Sequence, residues 1–372
     1  MNPVTIRTAN SRKDVKRFIK FQWKPYKGNP NWVPPLLNDR RKLLDRKRNP
    51  FYRHAAMELF IAERDGDDVG RIAAIVNDNH NKEHEENIGF FGFFECINDQ
   101  AVAKALFDAA TQWLRAKGVQ AVRGPVSPSV NDDYGLLIDG FDLPPAIMMV
   151  YNPPYYQTLI EAYGFTKIKD LYAYHVHSDK VFTEKLTRVS EMLKRKEGLV
   201  FRSIDMKRFK EEVKTIRELY NSAWSRNWGE VPMTDAEFDW IAGDLKAIVD
   251  PHLVIIAEVK GKPVGFALSL PDLNMVLKNN KHGYFIPGLL RILLFKKKID
   301  FVRIITLGVI PKYLNTGIGG VLFYETARRA VENGYPHGEA SWVIEDNVMM
   351  NRGAELLKGD RWKTYRLFQM PL

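Results

Sequence analysis

Helical and strand periods alternate along this chain, and each change of period marks a predicted element. In KEEVKTIRELYNSAW the apolar positions Val213, Ile216, Leu219 and Tyr220 recur at three- and four-residue steps, which predicts a helix with one buried face. A second helix is expected in TDAEFDWIAGDLKAIV, where Thr234 can cap the N-terminus and Glu237 can complete a capping box. Apolar runs around a central glycine, IAERDGDDVG from Ile61 and IAEVKGKPVG from Ile256, predict β-hairpins. The polar stretch over 178–197 predicts a connecting helix.

The two hairpins also resemble each other. Ile61, Ala62, Glu63, Gly66, Val69 and Gly70 recur as Ile256, Ala257, Glu258, Gly261, Val264 and Gly265, at a constant offset of 195 residues. The same offset pairs Ile6-Arg7 with Phe201-Arg202, Asn152 with Asn347, and Gly164 with Gly359. Between these anchors the helix ending at Gly118 matches the one ending at Gly334, at an offset of 216. The chain therefore reads as two copies of one plan: strand, helices, hairpin, strand, long helix, strand, helix, strand. That order implies an α/β fold in the α+β sense, a mixed sheet flanked by helices in each half.

Composition narrows the function classes. At 372 residues, two domains of 1–177 and 198–372 suit the length better than one core. The single cysteine, Cys96, sits in the apolar run FFGFFECI and reads as packing; one cysteine excludes an internal disulfide framework and suits a cytoplasmic, reducing compartment. The N-terminal MNPVTIRTANSRKD has no apolar core of a signal peptide. No apolar run reaches the roughly 18–20 residues of a membrane span. The nearest is Pro287 to Phe295, followed by Lys296, Lys297 and Lys298, which either covers a core or touches acyl chains or an anionic membrane surface. A net charge of +10 has no helix-turn-helix, zinc-finger or RNA-binding signature beside it, so nucleic acid is not the expected partner. No metal site is expected either.

One segment carries chemistry. After the strand FVRIITLGVI, residues Asn315, Thr316, Gly317, Ile318, Gly319 and Gly320 form a glycine turn that opens a long helix. Free N–H groups at such a helix start, together with its dipole, favour a phosphate or pyrophosphate. The pattern lacks the G-x-G-x-x-G of a dinucleotide fold and the G-K-[ST] of a Walker loop.

Val309, Pro311, Gly317 and Gly319 match V-x-P-x-x-[RQ]-x-x-G-x-[GA], the loop of the GNAT superfamily of acyl-CoA N-acyltransferases, with Leu314 in place of the usual Arg or Gln. The chain thus resembles a tandem member with two GNAT-like domains. The resemblance implies acyl-CoA as cosubstrate, with acetyl the expected acyl group, and a small-molecule or peptide amine as acceptor. It implies that the backbone of Leu307, Gly308 and Val309 holds the pantetheine arm, with Asn347 as the polar position after the fifth strand and the terminal strand TYRLFQMPL closing the C-terminal domain. Where the family often has an acid-donating Tyr, this chain has Glu355, and Tyr365 and Tyr324 are the tyrosines that could donate instead. Glu339 and Glu345 are the carboxylates available as general base.

The first half has INDQAVAKAL where the glycine loop would stand, so no CoA site is expected there. Its long insertion GPVSPSVNDDYGLLIDGF, with the YNPPYY that follows, gathers Asn131, Asp132, Tyr134, Tyr151, Asn152 and Tyr155. Such a loop either binds a polar acceptor or is an ordered surface loop rich in turn formers. Two further readings stay open beside the acyltransferase: a Fem-type aminoacyl transferase, which also pairs two GNAT-like domains, and a non-catalytic CoA-binding protein.

Overall fold

The computed structural model describes residues 2–224 and 227–372; Met1, at the head of the polar N-terminal stretch, lies outside them. The chain forms two compact units. One comprises residues 1–170, 276–293 and 363–372, and the other residues 171–275 and 294–362.

In the first unit, strands Thr5–Thr8, Ala55–Arg64, Asp67–Asn77 and Ile88–Cys96 are antiparallel neighbours in that order. Ala121–Gly124 then joins Ile88–Cys96 in parallel. The core lies between this sheet and the helix Gln100–Ala116, whose Val102, Ala103, Leu106, Phe107, Ala110 and Leu114 are buried at helical spacing. Phe107 meets Phe94 at 4.8 Å and Phe91 at 5.3 Å, so truncating it to alanine would cost about 3–5 kcal/mol. Cys96 is buried in this cluster, where burial pushes its thiol upward, consistent with packing.

In the second unit, Leu199–Ser203, Val254–Val259, Lys262–Pro271 and Phe301–Val309 form an antiparallel ladder. His337–Ile344 adds in parallel to Phe301–Val309, and its other edge pairs with residues 171–177 of the strand Thr166–His177. The helices Phe209–Trp224 and Asp235–Leu245 form where expected, the latter with Thr234 and Glu237 in the capping box. The connecting segment forms the helix Glu184–Glu197, capped by Gly198 at φ +58°.

The duplication extends to backbone detail. Both hairpins turn through two residues of positive φ, Asp65-Gly66 at +54° and +82° and Lys260-Gly261 at +51° and +73°. Such turns match the right-handed twist of the flanking strands. Each hairpin carries a register shift at the equivalent place, Ala62/Glu63 and Ala257/Glu258.

One expectation is corrected. The terminal strand Asp360–Pro371, expected to close the C-terminal half, pairs with Ala121–Gly124 and with Leu136–Asp139 of the first unit. Burial explains the choice. Phe368 is fully buried in the cluster that holds Phe91, Val122 and Phe165, and Tyr365 and Leu367 are fully buried as well.

Candidate active site

The strand Phe301–Val309 has a partner on one edge along its length, up to the Val309–Gly265 pair. On its other edge, pairing with His337–Ile344 runs only from Phe301–His337 to Ile304–Ala340. Beyond that point His337–Ile344 stays with its outer neighbour, through an irregularity between Ala340 and Val343, and reaches the Ile344–Leu171 pair. A bulge of this kind bends a strand away from its partner. The two strands open into a slot of about 570 Å³.

Aromatic and aliphatic groups dominate its walls, among them Trp224, Trp228, Trp342, Leu314, Val348 and Met349. Trp224 comes from the end of the helix Phe209–Trp224 and is held by Tyr220, stacked at 4.9 Å, and by Phe266 at 5.6 Å. Polar groups are fewer: Thr306, Ser341, Asp346 and Asn347 also line the slot.

A buried network braces the strands beside the slot. Ser341 Oγ donates to Glu339 Oε1 at 2.7 Å, and Trp362 Nε1 donates to Glu339 Oε2 at 2.9 Å. Arg303 Nε donates to Ser341 Oγ at 2.9 Å, and its guanidinium lies 5.0 Å from the centre of the Trp342 ring. Glu339 and Arg303 are almost wholly buried, and these contacts partner polar groups that would be costly to bury alone.

The glycine loop stands beside the slot. A short turn, Pro311–Thr316, leads to Gly317 at φ +85°, and the helix Ile318–Glu332 follows; its N-cap glycine offers no side chain, and Thr316 Oγ1 accepts from Ile318 N at 3.5 Å. Gly319 and Gly320 line the slot. A Cβ on Gly320 would meet nothing within 4 Å, and one on Gly319 only a Val309 methyl at 3.8 Å. Space is thus open beside both glycines at the edge of the slot, and the start of a 15-residue helix, whose dipole favours an anion, borders it.

The equivalent features in the first unit are closed. Asp99 caps the helix Gln100–Ala116 through Ala101 and Val102 N–H groups and pairs with Arg64 at 2.7 Å. A carboxylate thus holds the place where an anion would sit. Val126 packs so tightly on Ile88–Cys96 that a Cβ on Gly92 would stand 1.8 Å from its carbonyl oxygen, and Ser127 Oγ accepts from Phe93 N at 2.8 Å. The inserted segment fills the space beside that strand.

Residues 213–352 match the acetyltransferase (GNAT) family. Over 368 residues, 96% of this chain and 95% of the other, the chain is 37% identical to the bacterial ceramide synthase of Caulobacter vibrioides. It is 35% identical to protein YghO of Escherichia coli, over 98% of this chain and 94% of that one. This chain belongs to the GNAT family. A tandem GNAT protein from the clavulanic acid biosynthesis pathway has the same fold, with a TM-score of 0.57 and 11% identity, covering 99% of this chain and 98% of that one. A GCN5-related glucosamine N-acetyltransferase region of a fungal β-N-acetylglucosaminidase superposes at a TM-score of 0.60 and 15% identity, covering all of this chain and 38% of the other.

The protein is accordingly an acyltransferase, of a family that uses acyl-CoA as cosubstrate. Of the expected donor-binding residues, Leu307, Gly308, Val309, Gly319, Gly320 and Asn347 line the slot. Asn315, Thr316, Gly317 and Ile318 form the adjoining turn and helix start, with Ile318 buried. Asn347 caps the helix Val348–Leu356 by accepting from Met350 N at 3.1 Å.

The acid and base candidates are dispersed. Glu339 is fixed in the network described above, and Glu345 neighbours Asp346, which lines the slot where Glu345 does not. Glu355 is exposed on the helix Val348–Leu356, and Tyr365 is fully buried in the C-terminal strand. Tyr324 Oη is 2.9 Å from Thr187 Oγ1 on the connecting helix.

The six acceptor candidates of the first unit are largely bonded to its own backbone. Asn152 binds Leu137 N and O, Tyr151 Oη donates to Phe141 O, and Tyr155 Oη donates to Cys96 O. Asn131 N donates to Ser129 Oγ, Tyr134 is buried, and Asp132 accepts from Ser129 Oγ at 2.6 Å. Burial raises the Asp132 carboxyl to about 7 despite that bond. Sequence reasoning missed Trp224, Trp228 and Trp342 as slot residues. The available signal was a pair of tryptophans four residues apart at the end of a helix, which reads equally as core packing.

Proposed function

We propose that this protein transfers a long-chain acyl group from acyl-CoA to the amino group of a long-chain amino alcohol, forming a ceramide-type amide. The observation that carries the reading is the apolar slot beside an open glycine loop, in a chain 37% identical along 96% of its length to a protein named a ceramide synthase. Trp224, Trp342, Val348 and Met349 offer aliphatic chains the contact that a small acetyl acceptor would not need.

In this reading the amides of Gly319 and Gly320 face the pyrophosphate, with Asn315 to Ile318 shaping the turn. The free edge of Leu307 to Val309 holds the pantetheine arm, and Asn347 fixes the opposite wall. The substrate nitrogen forms the new C–N bond as the C–S bond breaks. Its proton passes to Asp346, the carboxylate that lines the slot, and the leaving thiolate is protonated from solvent. Positioning supplies much of the rate in such a reaction.

The test is incubation of the purified full-length chain with palmitoyl-CoA and sphinganine, following free thiol release and the N-acyl product by mass spectrometry. The expected result is N-acylsphinganine, with acetyl-CoA a poorer donor. Turnover of acetyl-CoA on short polar amines with none on sphinganine would overturn the acceptor and chain-length assignments.

A further inference from the structure

The helix Phe285–Phe295 is amphipathic in the opposite sense from a core helix. Its inner face is Gly288, Arg291, Ile292 and Phe295, at steps of three and four. Gly288 lies so close to its support that a Cβ would come within 2.9 Å of Leu36 and 3.0 Å of the Asn280 side chain. Asn280 Nδ2 donates to Tyr284 O at 2.8 Å, and Arg291 Nε donates to Val276 O at 3.0 Å. The helix is thus seated by its small and polar residues.

Its large apolar residues point outward. Tyr284, Phe285, Ile286, Leu289, Leu290, Leu293 and Leu294 are 42–72% exposed, with Leu294 the most. Between Asp272 and Asp300 the sequence has no acidic residue, while Lys278, Lys281, Arg291, Lys296, Lys297 and Lys298 are basic. The three terminal lysines directly follow the exposed stripe and are exposed themselves.

We infer that this helix inserts its outer face into the headgroup–acyl boundary of an anionic lipid bilayer. An 11-residue helix is too short to span a bilayer, and among the described residues no helix is long and apolar enough to do so. It can instead lie in the interface, with leucine side chains in the acyl region, Tyr284 and Phe285 at headgroup depth, and the lysines against anionic headgroups. The charge selects the occupant. A second copy of the chain carries the same basic stretch with no acidic residue to answer it, whereas anionic lipid neutralises the lysines. The inference deepens the proposed function, since a long-chain acceptor resides in membranes, but its evidence is the helix alone.

The experiment is co-sedimentation of the full-length protein with vesicles of phosphatidylcholine and phosphatidylglycerol, and with phosphatidylcholine alone, in the absence of any acyl donor. Wild type is expected to bind the anionic vesicles, more weakly at raised salt. The pair Leu289→Glu and Leu293→Glu is expected to lower partitioning more than about tenfold. The triple change of Lys296, Lys297 and Lys298 to Gln is expected to lower it on the order of a hundredfold at low ionic strength. All five positions are exposed, and thermal melts would verify that each variant folds. Absence of wild-type binding, or variants that bind as wild type does, would overturn the inference. So would self-association that the leucine pair abolishes without any vesicle binding, which would assign the face to a second copy. Failure of acyl transfer onto sphinganine leaves the vesicle result standing, so the two proposals fail separately.

Discussion

The indole of Trp224 closes against the backbone of Gly308, so that a Cβ added to Gly308 would stand 2.4 Å from two of its ring carbons. Because Tyr220 and Phe266 hold that ring from other sides, it cannot swing away freely. Gly308→Ala is expected to cost about 1–3 kcal/mol of stability by overpacking. In a Trp224→Phe background the cost should shrink, which a double-mutant cycle by urea denaturation would measure. Additive costs would show that the two residues do not press on each other.

The open surface over Gly320 permits a cleaner test of the anion site. A side chain there meets nothing within 4 Å, so Gly320→Ala should leave folding intact, and alanine in a helix is about 1 kcal/mol better than glycine. Gly320→Asp would recreate the acidic helix start that Asp99 gives the first unit. It is expected to weaken CoA binding about tenfold or more by calorimetry while the melting temperature holds. Equal affinities for the Ala and Asp variants would place the phosphate groups elsewhere.

The first unit offers the opposite case. Gly92 approaches the Val126 carbonyl, and a backbone oxygen cannot rotate out of the way as a side chain can. Gly92→Ala should therefore destabilise the fold by several kcal/mol, at the upper end of overpacking costs, on the order of 3 kcal/mol or more. The check is the yield of folded protein and its urea midpoint. A wild-type midpoint would mean that the inserted segment is free to move off the strand.

These sites differ in how far the residues alone disclosed them. The hairpins were legible because Asp65-Gly66 and Lys260-Gly261 carry their turn chemistry locally, and the loop from Asn315 to Gly320 does the same for a helix start. The slot is not local. It exists because pairing stops after Ile304 and Ala340, and no pattern within either strand announces that separation. Trp224 has the helical spacing of a core residue, so its role as a slot wall depends on which strand the helix covers. The terminal strand failed for a related reason. The order of apolar residues around Tyr365 and Phe368 specifies a strand with buried faces, but the partner is set by the shape of the surface that receives Phe368.

Glu230 gives a pH-dependent expectation. Burial raises its carboxyl to about 7, although Tyr220 Oη donates to it at 2.8 Å and lowers it in part. An unfolded glutamate titrates near about 4.3, so between that pH and about 7 the folded state binds the extra proton. Stability from this group is therefore greatest at acid pH, falls as pH rises through that interval, and levels off above it. Glu230→Gln keeps an acceptor for Tyr220 and has no charge to bury. The difference in melting temperature, variant minus wild type, is expected to grow in the variant's favour between about pH 5 and pH 8. Because Tyr220 stacks on Trp224, the same variant should leave the slot wall in place, with CoA affinity at pH 8 near that of wild type. A melting difference that stays constant across this range would show that Glu230 does not titrate there.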